Sequence, residues 1–240
     1  MQVIELWRYP VKSLQGEQLE VCEVDEHGLV GDRAWGLVDQ RSGYVLTARR
    51  VPELLMASAR WMSPDEVAVI LPDGTETTDD ALLSDWLGRP ISLRSALGHG
   101  SGTYENPLVV EDHVESDWAA WEGPSGVFHD SGRTRLSICS IASLGEWDRR
   151  RFRFNVIVDG AGEDDLVGAS VSLGAIGLLV KKQISRCVMV TRPQPDGIER
   201  DTSVLKTINR EREGCLGIGA VVTRPGRVTV GDELAALPAT

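Results

Sequence analysis

Short runs in which apolar and polar residues alternate are spaced along most of the chain, a pattern typical of β-strands. Trp35–Asp39 and residues 44–47 flank a Ser-Gly turn, which predicts a hairpin. Residues 67–71 and 75–77 flank the sequence Pro-Asp-Gly, whose residues favour tight turns, and predict a second hairpin. Later apolar runs predict strands over residues 154–158, 170–173, 177–180 and 220–222. Strands therefore dominate both halves of the chain.

Helical patterns are few and short. An Asp-Asp pair at residues 79–80 caps a run in which leucine and tryptophan recur at helical spacing before a glycine. A second short capped helix is predicted over residues 140–147, and a third follows the capping residues 201–203. Between the first two helices, glycines alternate with polar residues over 96–104, which predicts a mobile linker.

The order of these elements predicts a mainly β (α+β) fold with two β-rich, barrel-like domains and a few short helices. The glycine-containing linker divides the chain into a first domain over residues 1–95 and a second over residues 96–240. With 240 residues and 42% hydrophobic content, the chain is long enough to bury a sizeable core.

The net charge of −11 narrows the choice of partners. Nucleic acids and anionic membranes are normally bound by broad basic surfaces, so we expect neither as a partner. The first residues interrupt their apolar positions with charge, which predicts no signal peptide or membrane span and leads us to expect a cytoplasmic protein. The four cysteines lie far apart without CxxC spacing, which favours reduced thiols over disulfides or clustered metal ligands.

One of these cysteines, Cys187, directly follows Arg186 and precedes an apolar run over residues 188–191 that predicts a strand. A neighbouring guanidinium favours the thiolate, which is the form that binds soft metals or attacks electrophiles. The alternative is a thiol with only a packing role, because free cysteine is among the most commonly buried residue types. Cys187 is thus a candidate metal ligand whose role depends on the rest of the sequence.

Three further segments form a known pattern together with Ser185-Arg186-Cys187. They are Tyr-Pro-Val-Lys-Ser-Leu at residues 9–14, Gly-Leu-Val-Gly-Asp-Arg-Ala-Trp at 28–35 and Arg-Phe-Arg-Phe-Asn-Val-Ile-Val at 151–158. In this order and spacing the chain resembles the MOSC family over nearly its whole length, with an N-terminal MOSC β-barrel domain before the MOSC domain. Phe154 stands where the third motif of the family usually has proline.

This resemblance implies a binding site for the molybdenum cofactor, a molybdopterin with a phosphate and a dithiolene that chelates molybdenum. In catalytic members, such as the mitochondrial amidoxime-reducing component, a cysteine matching Cys187 is a thiolate ligand, which makes Cys187 the predicted metal ligand and catalytic residue. Motif positions associated with the pterin and its phosphate are Lys12, Ser13, Arg33, Arg153, Asn155, Ser185 and Arg186, with looser matches at Arg49, Ser140 and Ser143. Taken singly, such residues also suit structural roles, as a surface ion pair or a strand-end hydrogen bond.

The resemblance further implies an enzyme, a molybdenum-cofactor-dependent reductase acting on small N-hydroxylated compounds. Because the chain lacks the clustered cysteines of a ferredoxin domain, we expect its electrons to come from a separate donor protein. Two alternatives stay open: a sulfur carrier or transferase that uses a persulfide on Cys187, and a non-catalytic module that binds the cofactor without turnover.

Overall fold

The computed structural model describes residues 1–97, 101–107 and 117–238. Strands make up most of the regular structure in this part of the chain, so the predicted mainly β class with a few short helices is confirmed. In chain order the strands are β1 (Val3–Arg8), β2 (Glu17–Leu19), β3 (Val21–Asp25), β4 (Gly28–Leu29), β5 (Trp35–Asp39), β6 (Ser58–Ser63), β7 (Glu66–Ile70), β8 (Glu76–Thr77), β9 (Ile91–Ser95), β10 (Ser101–Pro107), β11 (Trp118–Ser125), β12 (Leu136–Ser140), β13 (Val156–Val158), β14 (Ser170–Leu173), β15 (Ile176–Ser185), β16 (Cys215–Arg224), β17 (Gly226–Thr229) and β18 (Leu234–Ala236).

The helices begin where the sequence places polar caps. The Asp79 carboxylate accepts hydrogen bonds from the first turn of the helix that follows it, and the Ser140 hydroxyl accepts one from the Ser143 N–H at the start of the next helix. The α-helices are α1 (Asp80–Leu87), α2 (Ile141–Leu144) and α3 (Ser203–Arg212). Short 3-10 helices span Pro52–Met56, Arg149–Arg151, Glu163–Leu166 and Val188–Thr191.

The chain forms two compact units, of which the first contains residues 1–8, 17–32 and 133–240. Its larger sheet has the order β18-β14-β15-β16-β12-β13-β1-β2, and its smaller sheet has the order β17-β3-β4. Alternating apolar residues of these strands form one buried core, and a second core lies where Phe152, Phe154 and Leu216 pack with α3 residues such as Ile208.

The second unit contains residues 9–16 and 33–132. Its strands pair as β5-β9, β6-β7-β8 and β10-β11. The hairpin predicted around Pro-Asp-Gly is confirmed, because Val69 of β7 lies opposite Thr77 of β8. In one core of this unit, Tyr104 and Phe128 pack beside Val45.

The two units alternate along the chain because strand pairing joins distant segments. β1 pairs with β13, and β3 pairs with β17, so the N-terminal strands belong to the same unit as the C-terminal half. The division into domains 1–95 and 96–240 concerns family domains rather than compact units, and it stays a prediction.

Two local expectations are wrong. Of the linker predicted over residues 96–104, residues 101–104 belong to β10. They form a strand because Tyr104 is buried and its ring stacks on Trp121 of β11, with the ring centroids 4.9 Å apart. Residues 98–100 of the predicted linker lie outside the described residues. The run after Cys187 is a 3-10 helix, Val188–Thr191, rather than a strand. Its Val190 and Thr191 are buried, which an apolar run satisfies in either conformation.

No helix within the described residues is long and apolar enough to cross a membrane.

Candidate functional site

Cys187 lies just beyond the end of β15, in an extended conformation with φ −122° and ψ 179°. Its carbonyl accepts a hydrogen bond from the Val190 N–H in the 3-10 helix that follows. Its side chain is half-buried, as is that of Cys215. By contrast, Cys22 and Cys139 are buried; burial raises the pKa of Cys22 to about 11 and the pKa of Cys139 further still. The candidate metal ligand is therefore one of two thiols in the described part of the chain that are not enclosed in a core.

Arg186 fixes the backbone before Cys187. Its Nε and Nη2 atoms donate to the Leu216 carbonyl at 3.0 and 2.7 Å, and Nη1 donates to the Phe152 carbonyl at 3.0 Å. The guanidinium also lies 4.1 Å from the ring centroid of Phe154, the residue that replaces the usual proline. Three donors of the Arg186 guanidinium therefore bind backbone carbonyls, which gives Arg186 a structural role. Its contact with a pterin stays a prediction.

Arg153 and Asn155 lie in the same unit, on either side of buried Phe154. Arg153 is an 8% exposed cation with a φ of 55°. The Asn155 side-chain oxygen accepts from the Ser137 hydroxyl at 2.9 Å, and its amide donates to the Trp7 carbonyl at 3.3 Å. Asn155 therefore ties β1 to the start of β12, and its predicted bond to the pterin edge is untested.

The remaining predicted residues of this unit also make internal contacts. The Ser185 hydroxyl lies 3.8 Å from the Cys215 sulfur. Ser140 caps α2 and donates its N–H to the buried Glu163 carboxylate, while the Ser143 hydroxyl accepts from Arg212 at 3.2 Å. These contacts account for Ser140 and Ser143 as parts of the fold, and nothing among them requires a cofactor.

In the second unit, the structure brings together the four predicted residues Lys12, Ser13, Arg33 and Arg49. The Lys12 ammonium is 3% exposed and donates to the Asp130 carboxylate at 2.6 Å. Lys12, followed by Arg33 and Arg49, holds the pKa of the Asp130 carboxyl well below its ordinary value, because positive charge favours the ionised form. Three of the predicted cations therefore act on one carboxylate.

Neighbouring contacts hold this cluster in place. The Lys12 ammonium also donates to the Phe128 carbonyl at 3.1 Å and lies 4.8 Å from the centroid of the Tyr104 ring. The Ser13 hydroxyl accepts the Ala48 N–H at 3.0 Å, next to Arg49, whose guanidinium donates to the Asn106 side chain.

Sequence reasoning missed Asp130, Tyr104 and Asn106 in this unit. Asp130 is 118 residues from Lys12, and Asn106 is 57 residues from Arg49. No local motif links positions so far apart, so a single sequence offers no signal that they are neighbours.

Three predicted site residues share an uncommon backbone conformation. Ser13, Arg33 and Arg153 have φ values of 70°, 53° and 55°, in the left-handed region. Within the described residues, the other non-glycine residues with positive φ are Asp196 and Glu213. Such conformations cost of order 1–3 kcal/mol each and concentrate at binding and catalytic sites. Strain at these positions is an observation independent of the motifs that first singled them out.

Comparison with known proteins accounts for both parts of the chain. Residues 1–85 match the MOSC N-terminal beta barrel domain, and residues 129–235 match the MOSC domain. The chain belongs to the MOSC family. The motifs at residues 9–14, 28–35, 151–158 and 185–187 all lie inside the matched ranges of this MOSC chain.

Two curated relatives show how the MOSC chain is related to larger proteins. Molybdenum cofactor sulfurase of Drosophila willistoni is 28% identical in an alignment 250 residues long, which covers 93% of this chain and 31% of that protein. Mitochondrial amidoxime reducing component 2 of Bos taurus is 38% identical over 60 residues, which cover 23% of this chain and 18% of that protein. The matched part thus covers about a third of the length of the first relative and less than a fifth of the second. Among solved structures, the YuaD protein of Bacillus subtilis aligns over 100% of this chain and 96% of its own, with a TM-score of 0.47 and 13% identity.

Proposed function

We propose that this chain is an enzyme that binds the molybdenum cofactor and reduces N-hydroxylated compounds with electrons from a separate donor protein. The left-handed backbone at Ser13, Arg33 and Arg153 carries the proposal, because strain accumulates at the motif positions associated with the cofactor. The names of the two relatives, a molybdenum cofactor sulfurase and an amidoxime reducing component, support the cofactor and, for the second, the reaction.

The donor groups of the chain fit such a cofactor. Cys187 offers a half-buried thiol, a soft ligand suited to a metal that brings a dithiolene of its own. Lys12, Arg33 and Arg49 offer three positive charges, and guanidinium groups match phosphate oxygens in bidentate geometry. In the first unit, Cys187 is the proposed metal ligand, and Arg153 and its neighbours in the motif are the proposed pterin contacts. In the second unit, Lys12, Arg33 and Arg49 with Ser13 are the proposed phosphate contacts.

When bound, the cofactor supplies the two-electron redox chemistry of molybdenum. The reduction as a whole converts an N-hydroxyl group, two electrons and two protons into an N–H group and water. The chain contributes a thiolate at Cys187, a fixed backbone at Arg186 and charge neutralisation at Lys12. Arg186 acts through Cys187 as a positioning residue, because its donors are directed at backbone carbonyls.

Elemental analysis tests the proposal on protein made in a host that synthesises the cofactor. We expect about one molybdenum per chain and reduction of a test amidoxime with a chemical electron donor. Cys187→Ser should abolish the reductase activity while the protein stays folded by circular dichroism. Cys215→Ser is the matched control, because it removes the other half-buried thiol of the same unit. Full activity of Cys187→Ser would refute the ligand role.

A sulfur carrier is the second candidate, and the match to a molybdenum cofactor sulfurase over 93% of the chain favours it. In that case Cys187 would hold a persulfide and pass its outer sulfur to an acceptor, which leaves the Cys187 thiolate behind. Cyanide-labile sulfur that is lost in Cys187→Ser, without tightly bound molybdenum, would establish this candidate instead. Stoichiometric molybdenum without turnover of any amidoxime would identify a non-catalytic cofactor-binding module.

A further inference from the structure

Asp130 is the solvent-facing member of its ion pair with Lys12. The Lys12 side chain is 3% exposed, whereas the Asp130 side chain is 66% exposed. A buried ammonium needs a counter-charge, because its desolvation is costly and is offset only by a paired anion. An anion from solution that binds the Lys12 ammonium would therefore compete with the Asp130 carboxylate for the same charge.

Three cations of the described part of the chain act on Asp130. Lys12, Arg33 and Arg49 all stabilise its ionised form. Arg49 donates to Asn106, a neutral amide, so that contact leaves the guanidinium charge in place. Carboxylate and phosphate oxygens accept the same charge-assisted hydrogen bonds, so the carboxylate lies where a phosphate is favoured as well.

We propose that Asp130 is an internal competitor of the anionic ligand, a carboxylate that leaves the Lys12 ammonium when a phosphate monoester binds. This inference rests on the proposed function, which assigns the cofactor phosphate to the same cations. Asp130 keeps the buried ammonium paired while no ligand is bound, and it sets the affinity for the incoming phosphate. The site around Lys12 should prefer a dianion over a carboxylate ligand, because Asp130 already supplies a single negative charge.

Phenyl phosphate is a suitable probe because it presents a phosphate monoester without the pterin or the metal. Its affinity for the full chain is measured by titration calorimetry at constant ionic strength. Asp130→Asn should tighten binding about fivefold or more, because two like charges about 4 Å apart repel appreciably even at the dielectric constant of water. Lys12→Gln should abolish binding, alone and combined with Asp130→Asn.

Glu76→Gln is the matched control, because Glu76 pairs with Arg60 at 3.1 Å on the same unit and has no contact with the cluster. It should leave the affinity for phenyl phosphate unchanged. If Asp130→Asn is poorly folded by circular dichroism, Asp130→Ser removes the same charge with a smaller side chain.

Each result bears on one of the two claims. Unchanged or weaker binding by folded Asp130→Asn and Asp130→Ser, with binding still lost in Lys12→Gln, would overturn the competitor and leave the phosphate site standing. Wild-type binding that survives in Lys12→Gln would instead remove the anion site from the proposed function.

Discussion

The Lys12 ammonium lies 2.6 Å from the Asp130 carboxylate, although 118 residues separate the two along the chain. Lys12 belongs to the first segment of its compact unit, residues 9–16, and Asp130 lies near the end of the second, residues 33–132. The ion pair therefore joins the two segments of one unit. It also sets the charge at the cluster to which we assign the cofactor phosphate.

Stability that depends on Asp130 should be lost in acid. The pKa of Asp130 is held below its ordinary value, so the ion pair stabilises the protein above about pH 4 and less as the pH falls through the folded-state pKa. At pH 7, Asp130→Asn should lower the free energy of unfolding by about 1 kcal/mol, a modest cost because the carboxylate is mostly exposed. Urea denaturation at a series of pH values from 7 down to 2 checks this. A difference between the two proteins that does not shrink in acid would contradict the assignment.

Arg186→Lys should destabilise the protein by about 2–3 kcal/mol, because an ammonium cannot reach both the Leu216 and the Phe152 carbonyl and leaves buried acceptors unpaired. The molybdenum content should fall with it, since the residue before Cys187 is no longer fixed. Urea denaturation and elemental analysis measure the two effects. Arg210→Lys, at an exposed pair with Glu211, should change the free energy of unfolding by less than about 0.5 kcal/mol. Equal changes in the free energy of unfolding for Arg186→Lys and Arg210→Lys would argue against a structural role of Arg186.

Elements fixed by neighbouring residues could be predicted from the sequence. Asp79 begins α1 and Gly88 ends it with a φ of 63°, because capping and left-handed termination depend on a few adjacent residues. The hairpin of β7 and β8 follows from its turn in the same way. The sequence alone did not predict which face of α1 is buried. Leu83 is fully buried, whereas the neighbouring Leu82 is 46% exposed.

Contacts between distant segments could not be predicted from one sequence. The pairing of β1 with β13 and the contact of Lys12 with Asp130 depend on how the whole chain folds, and neither leaves a local pattern. Arg186 shows the limit of motif reasoning. The motif identifies the residue, but only the structure shows that its donors bind carbonyls 30 and 34 residues away.

The left-handed backbone at Arg153 leads to a prediction that separates stability from binding. Arg153→Gly should be more stable than Arg153→Ala by about 1 kcal/mol, because glycine adopts a positive φ without the steric cost of a β-carbon. Both variants should retain less molybdenum than the wild type, since both lose the guanidinium. Thermal unfolding and elemental analysis provide the two measurements. Equal stability of the two variants would show that the backbone at Arg153 is not strained.

The four cysteines should divide into two classes when the native protein is treated with iodoacetamide at pH 8. Cys187 and Cys215 are half-buried and should be alkylated, whereas Cys22 and Cys139 should be protected. Burial raises the pKa of Cys22 to about 11, so its thiolate fraction at pH 8 is small, and restricted access slows the reaction further. Peptide mass spectrometry after a short reaction identifies the modified residues.

Binding of the cofactor should then change only one member of the reactive class. Cys187 becomes protected when its sulfur ligates the metal, while Cys215 keeps the same alkylation rate, which makes it an internal control in the same sample. A persulfide on Cys187 predicts the opposite: alkylation would continue, with a mass increase of one extra sulfur on that peptide. Equal reactivity of Cys187 in samples with and without molybdenum would rule out the thiolate as a metal ligand, whatever activity the protein shows.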